Sequence, residues 1–310
     1  MKTASAIPAP LAAVSCIVAA MALIGLIDNF VILIAELAGL WQLHLVRACI
    51  AIPLILVISR LCGWPVTPKR LWAVTVRSML VSVSMVFYFG SLAFLPVAQA
   101  AAGLFTAPIF VLIVSVIVFR RRVGVVNVIA AIVGFLGVLL VLRPDFSDVS
   151  SATLMPVAAG VFYALGAVAT RGICLEEGSL ALLLGFFVAM LFWGFAGCIW
   201  LSVFSLDAPD GPDGFLSRGW VPVTGELLAL ISVQAIGSVI GVGLITRGYL
   251  LAEATFVTVF EYTLLVFAAF WGYVVLNDRL DVMGAAGIAL IMLSGGFLAR
   301  VRQGAEEARP

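Results

Sequence analysis

Apolar runs of bilayer length follow one another almost without a break from Leu11 to Ala299. Each is long enough to cross about 30 Å of hydrocarbon at about 1.5 Å of rise per helical residue. Ten spans are expected: Leu11 to Ile34, Trp41 to Ser59, Leu71 to Ala93, Val97 to Phe119, Val125 to Leu142, Leu154 to Thr170, Leu180 to Phe204, Leu227 to Leu250, Thr255 to Leu276 and Val282 to Ala299. Lipid-exposed strands would alternate apolar and polar residues, whereas these runs do not, and a helix satisfies its own backbone in lipid. The expected fold is an all-α integral membrane protein of ten transmembrane helices. Little chain remains outside the bilayer, so the function must be exercised between the helices.

Composition agrees: the 310 residues are 64% hydrophobic and 11% charged, with a mean hydropathy of +1.24. A net charge of +1 leaves no basic face able to neutralise many phosphates, so nucleic acid is excluded as a partner. The five cysteines (Cys16, Cys49, Cys62, Cys174 and Cys198) lie within or beside spans, odd in number and without paired spacing, so neither a disulfide framework nor a metal site is expected. The apolar run after Pro10 is too long for a signal-peptide core and is read as an uncleaved first span.

Lys and Arg in the short loops set the orientation. One side collects Lys2, Arg60, Lys69, Arg70, Arg120, Arg121, Arg122, Arg171, Arg300, Arg302 and Arg309, and the other only Arg143, Arg218 and Arg279. The acidic residues Glu36, Asp145, Asp148, Asp207, Asp210, Asp213, Glu226, Asp278 and Asp281 favour the second side. Both termini are therefore expected in the cytoplasm, in a multi-pass protein of the bacterial inner membrane. The longest loop, Ser205 to Glu226, is rich in Asp, Pro and Gly, faces outward and reads as a solvated connector.

The segment Leu95 to Leu142 resembles Ala252 to Arg300. In each, a short loop enters a span through Val97-Ala98-Gln99 or Ala254-Thr255-Phe256, the span ends in a basic or mixed corner, and a glycine-bearing span follows. Because five is odd, two five-span copies in one chain have opposite orientations. The expectation is two inverted five-helix repeats, residues 1–147 and 148–310, with a site near the midplane where they meet.

Ionisable residues inside a span cost roughly 2.5 to 3.5 kcal/mol at a helix centre, which makes them the candidates for function. Asp28 in span 1, beside Asn29, is a candidate proton carrier or cation-binding group; the alternatives are an ion pair with Arg47 and a near-surface carboxylate. Glu261 in span 9, one turn after Thr258, is a candidate for binding or coupling; the alternative is a structural partner for an arginine. His44 and Arg47 share one face of span 2. Arg47 is the stronger candidate contact for a substrate carboxylate or for Asp28, whereas His44, near its span end, reads more simply as interfacial. Arg77, Arg171 and Arg247 are expected to snorkel toward water. Gln99, Gly103 and Thr106 recur on one face of span 4 ahead of Pro108, which is expected to kink the helix and free a carbonyl toward a cavity. Tyr88, Gln234, Tyr163 and Tyr262 complete the expected lining, the last two as platforms for a planar ligand. Gly237 and Gly241 of span 8 read as packing positions.

Several patterns together resemble one family. They are His44-Leu45-Val46-Arg47-Ala48, the run from Arg77-Ser78-Met79-Leu80 through Phe87-Tyr88 to Leu95-Pro96-Val97-Ala98-Gln99-Ala100, Thr106-Ala107-Pro108-Ile109-Phe110, and Phe260-Glu261-Tyr262-Thr263. On these the chain resembles the EamA-type transporters of the drug/metabolite transporter superfamily, over nearly its whole length. Where that family has a glycine-glutamate pair at the repeat corners, Arg120-Arg121 and Asn277-Asp278 stand here, so no role is carried over to that acidic position. The resemblance implies a secondary transporter for a small polar or amphipathic metabolite: an amino acid, a nucleoside-like compound or a vitamin such as riboflavin. No Walker-type loop is present, so a proton gradient or facilitated exchange is the candidate driving force, and no cofactor is called for. The alternatives are a drug or toxic-metabolite exporter of the same fold and an intramembrane enzyme. The enzyme would need facing aspartates, several histidines or a metal cluster, and the sequence offers one central aspartate in span 1 and one histidine.

Overall fold

The computed structural model describes residues 9–91, 97–118, 120, 122–143, 154–204, 206–211, 214–276 and 281–307. Among these residues all regular structure is helical, and ten helical stretches are long and apolar enough to cross a membrane. Span 1 comprises helices Ala9–Ile27 and Asn29–Leu37; spans 2 and 3 are Leu40–Cys62 and Leu71–Ser91. Span 4 comprises Val97–Leu104 and Ala107–Ile117, and span 5 is Val125–Leu142. Spans 6, 7 and 8 are Leu154–Gly172, Ser179–Val203 and Gly225–Leu251. Span 9 runs through Ala254–Val257, a 3-10 segment Thr258–Tyr262 and Thr263–Leu276, and span 10 is Val282–Glu307. The expected boundary at 147/148 lies outside the described residues.

Local sequence explains the ends. Span 2 stops at Gly63, whose φ of +68° suits a residue without a Cβ, and Ser59 closes the turn by donating its hydroxyl to the Trp64 carbonyl at 2.6 Å. Span 8 opens at Thr224, whose hydroxyl accepts from the Leu227 N–H at 3.2 Å. The faces turned outward are apolar. On span 7, Val188, Phe192, Phe195 and Ile199 form an exposed stripe at helical spacing, a surface suited to lipid rather than water.

The main helix pairs are 5 with 10, 2 with 7, 3 with 6 and 1 with 8, joined by 4 with 6, 1 with 9, 3 with 7 and 2 with 8. Adding five to each first-half number maps this set onto itself: 3–6 becomes 8–1, 4–6 becomes 9–1, and 3–7 becomes 8–2. Close crossings depend on small residues. A Cβ on Gly137 of span 5 would lie 2.7 Å from the Gly287 carbonyl of span 10, and a Cβ on Gly287 would meet the Gly137 carbonyl at the same distance. Gly237 and Gly241 likewise receive Ile27 and Ile24 of span 1.

Three spans are broken where the sequence analysis expects continuous helix or a kink. In span 1, Asp28 interrupts the ladder, and the Val31 N–H returns to the Asp28 carbonyl at 3.0 Å, a tighter i to i+3 turn. In span 4, Pro108 supplies no N–H for the Leu104 carbonyl, and Phe105-Thr106 form a turn in which the Thr106 hydroxyl donates to the Gly103 carbonyl. The freed Leu104 carbonyl lies beside Gly160 of span 6, where an added Cβ would lie 3.2 Å away, and Leu104 also borders the central cavity. In span 9, the 3-10 segment carries Thr258 and Glu261. Spans 4 and 9, which correspond under the shift of five, are thus both interrupted.

Candidate functional site

Spans from both halves of the chain enclose a cavity of about 380 Å³, within the usual range for small-molecule sites. Its middle is apolar, built from Val81, Met85, Phe105, Phe186, Val242 and Ile245. Its polar groups gather at two stations. Arg77 and Tyr88, both on span 3 and one at each station, are separated by about 16 Å of helix at about 1.5 Å per residue.

The first station holds Asp28 from the break in span 1, Arg47 from span 2, Tyr88 from span 3, and Gln234 and Ser238 from span 8. Arg47 is only 4% exposed, and its hydrogen-bond partners are neutral. Its guanidinium donates to Gln234 Oε1 at 3.2 Å, to His44 Nδ1 at 2.9 Å and to the Met190 sulfur at 3.5 Å. A guanidinium only donates, so Nδ1 must accept, which assigns the imidazole as its Nε2–H tautomer. Gln234 Oε1 also accepts from Ser238 at 3.0 Å, which fixes the amide orientation. The Arg47 Nε is buried without a hydrogen-bond partner. Asp28 is the nearby opposite charge, yet among the described residues no ion pair joins the two.

The second station holds Arg77, Tyr163, Thr170 and Tyr249 on the cavity wall. Arg77, 3% exposed, donates Nε to the Thr170 hydroxyl at 3.0 Å, Nη1 to the Leu182 carbonyl at 3.3 Å and Nη2 to the Thr246 hydroxyl at 3.1 Å, which ties spans 3, 6, 7 and 8 together. Behind the wall, Glu261 is 6% exposed and accepts from the Tyr163 hydroxyl at 2.6 Å and the Thr258 hydroxyl at 3.4 Å. Among the described residues no arginine or lysine pairs with it. A membrane-embedded carboxylate held by hydroxyls can exchange a proton without breaking an ion pair.

The candidates named from the sequence therefore separate. Asp28, Arg47, Tyr88, Tyr163 and Gln234 line the cavity, and Thr258 and Glu261 form a layer behind Tyr163. His44 is off the wall and fully buried against Phe89, a support for Arg47 rather than an interfacial group. Thr106 lies in the span 4 turn against Gly160. Tyr262 is wedged against Gly134 and Phe105 with its hydroxyl on the Ala131 carbonyl at 3.4 Å, so its ring fills the contact with span 5 and is not open to a planar ligand. The side chains of Asn29 and Gln99 lie outside the described residues.

The sequence analysis assigns Arg77 to the interface; the structure buries it. Its signal was the pair of small hydroxyl residues on the same helix face, Ser78 and Ser84, which with Gly166 of span 6 and Gly185 of span 7 lets those spans approach too closely for the side chain to reach water. Tyr249, Thr170 and Thr246 carry no comparable sequence signal. Outside the bundle core, the expected solvated connector is partly docked: Phe215 is buried, Gln42 exchanges hydrogen bonds with Val221 at 2.8 and 3.0 Å, and Arg218 donates to the Ala35 carbonyl at 2.7 Å.

Residues 11–143 match the EamA-like transporter family. Similar proteins include an uncharacterized transporter of Helicobacter pylori, 26% identical over 224 residues (72% of this chain and 72% of that protein). The pseudopaline exporter CntI of Pseudomonas aeruginosa is 26% identical over 259 residues (83% and 85%). The riboflavin transporter of Vibrio cholerae is 25% identical over 224 residues (72% and 69%). A solved crystal structure shares the fold with a TM-score of 0.73 at 17% identity, over 97% of this chain and 99% of that one. With ten helices able to cross a bilayer, this is a multi-pass membrane protein whose first half, residues 11–143, matches the EamA-like transporter family.

Proposed function

We propose that the protein is a secondary transporter that carries a small polar or amphipathic metabolite across the bacterial inner membrane by alternating exposure of the central cavity. The observation that carries this reading is the cavity itself, enclosed by spans of both halves and lined by the half-buried Asp28 and the buried Arg47 and Arg77. Isolated charges are expensive in a bilayer and are retained where they act on a ligand or ion. The amino-acid, nucleoside-like and vitamin classes all fit a cavity of this size. The relatives named as exporters and transporters of pseudopaline and riboflavin support transport over catalysis.

The helix pairing supports halves 1–147 and 148–310 related as inverted repeats that rock about the cavity, with the broken spans 4 and 9 as the points that yield. Both termini lie in the cytoplasm, on the basic side of the bundle. Asp28 and Glu261 are the proton-exchanging groups, and Asn29 and Gln99 remain candidates for the lining. The test is flux of labelled amino acids, nucleosides and riboflavin into liposomes containing the purified protein, with and without a pH gradient. Flux of at least one probe that collapses in both Asp28→Asn and Glu261→Gln supports the reading. Gradient-driven flux left intact by both substitutions removes the coupling assignment, and the absence of flux for every probe removes the transport assignment for these classes.

A further inference from the structure

Building on the transport reading, we infer that the Asp28–Arg47 station is a zwitterion clamp: it takes a ligand with a carboxylate and an ammonium on one carbon, whose apolar body lies along Val81, Met85 and Phe186. The two stations each contain an arginine and an acid, and they differ in what remains unsatisfied. Arg77 spends Nε, Nη1 and Nη2 on fixed acceptors of spans 6, 7 and 8, and Glu261 is closed off by hydroxyls behind the cavity wall. Arg47 is more than nine-tenths buried, borders the cavity, donates only to neutral groups and keeps its Nε without a partner. Asp28 sits where the helix ladder of span 1 is broken, borders the same cavity, and makes no ion pair among the described residues.

Two opposite charges left side by side yet unjoined in a low-dielectric site are complementary to a molecule that brings both signs. The ligand carboxylate reaches Arg47 and its ammonium reaches Asp28, so both charges on the cavity wall are neutralised at once. A ligand with one charge leaves the other protein charge buried and unpaired, and an uncharged ligand leaves both. The apolar middle of the cavity then accepts an aliphatic or aromatic side chain, since among the described residues it offers no further polar group before the second station.

The test measures binding of L-tryptophan and L-leucine to the purified full-length protein in nanodiscs, against their amine-only analogues (tryptamine, isopentylamine) and acid-only analogues (indole-3-propionate, 4-methylpentanoate). The expected result is a zwitterion preference of about ten-fold or more over both analogues, the scale of one hydrogen-bonded charge. Arg47→Gln then abolishes the preference for tryptophan over tryptamine, and Asp28→Asn abolishes the preference over indole-3-propionate, each variant checked for an unchanged elution profile. Because the two substitutions remove opposite discriminations, either variant alone suffices if the other fails to fold. Equal binding of zwitterion and single-charge analogues overturns the clamp. So does flux of riboflavin or a nucleoside in liposomes with no zwitterion binding, an outcome that leaves the transport reading standing. Absence of all flux together with absence of all binding overturns both.

Discussion

Arg47 of span 2 and Arg77 of span 3 face the same cavity, are buried to the same degree, and are employed in opposite ways. Arg77 is saturated. Its three donors reach two threonine hydroxyls and a backbone carbonyl on three other helices, so it acts as a cross-link. Arg47 rests in a neutral cradle of His44, Gln234 and Met190 and keeps a donor free beside an unpaired aspartate. The carboxylates repeat the contrast, with Glu261 enclosed by Tyr163 and Thr258 and Asp28 open to the cavity. Burial alone therefore says little about a membrane charge; the number of its donors and acceptors left over separates a structural group from a binding group.

The contrast breaks most visibly under truncation of the two arginines. Arg77→Met removes the three hydrogen bonds that tie span 3 to spans 6, 7 and 8 and should lower stability by about 3 kcal/mol, whereas Arg47→Met also removes a buried charge that has no ion pair among the described residues and should cost about 1 kcal/mol or less. Thermal unfolding of the detergent-solubilised variants measures the difference, and equal losses would erase the distinction between the stations. Transport should rank the other way. Arg47→Gln and Asp28→Asn keep the fold and lower substrate flux in liposomes by about ten-fold or more, the scale of one hydrogen-bonded charge.

A smaller effect probes the second station from its hydroxyl side. Tyr163→Phe removes the 2.6 Å hydrogen bond to Glu261 while keeping the ring, and should cost about 1 to 2 kcal/mol in unfolding stability. A neutral result would mean that Glu261 does not depend on its hydroxyl cage. The smallest effect lies at the bundle surface, where Arg143 pairs with Asp281 and the Gly284 N–H caps the same carboxylate at 3.0 Å. Hydrogen bonds from Arg143 and then from Gly284 hold the Asp281 carboxyl below its ordinary value. Its stabilisation is thus present above the ordinary carboxylate range and lost as pH falls through the lowered value. Asp281→Asn should differ slightly from wild type near neutral pH, and the two unfolding midpoints should converge on acidification; a constant offset would show that the carboxylate charge plays no part.

Much of the architecture is legible in the chain before any coordinates. Ten spans follow from runs of apolar residues because bilayer thickness and the backbone's need for internal hydrogen bonds leave one solution. Pro108 announces the break in span 4, and Gly237 and Gly241 announce a close helix crossing, because missing atoms have local consequences. The interruptions at Asp28 and at Thr258 to Tyr262 are less visible, since no proline marks them and their residues are compatible with helix. Among the site candidates, Tyr262 and Thr106 look like lining from their helix faces but are occupied by Gly134 and Gly160 of other spans, contacts that no single-helix pattern contains.

The sequence by itself determined that the protein is a ten-helix membrane bundle and which residues are the costly exceptions to its hydrophobicity. Those properties depend on interactions within a helix or between a helix and the bilayer. Tertiary structure alone decided that Arg77 is a cross-link, that His44 supports Arg47, that Glu261 rests on Tyr163, and that Asp28 and Arg47 share a wall without pairing. Except for His44 and Arg47, which lie one turn apart on span 2, each of these joins side chains from different spans, distant along the chain. Whether a buried charge is satisfied or left open depends on those partners and not on its own neighbours in sequence.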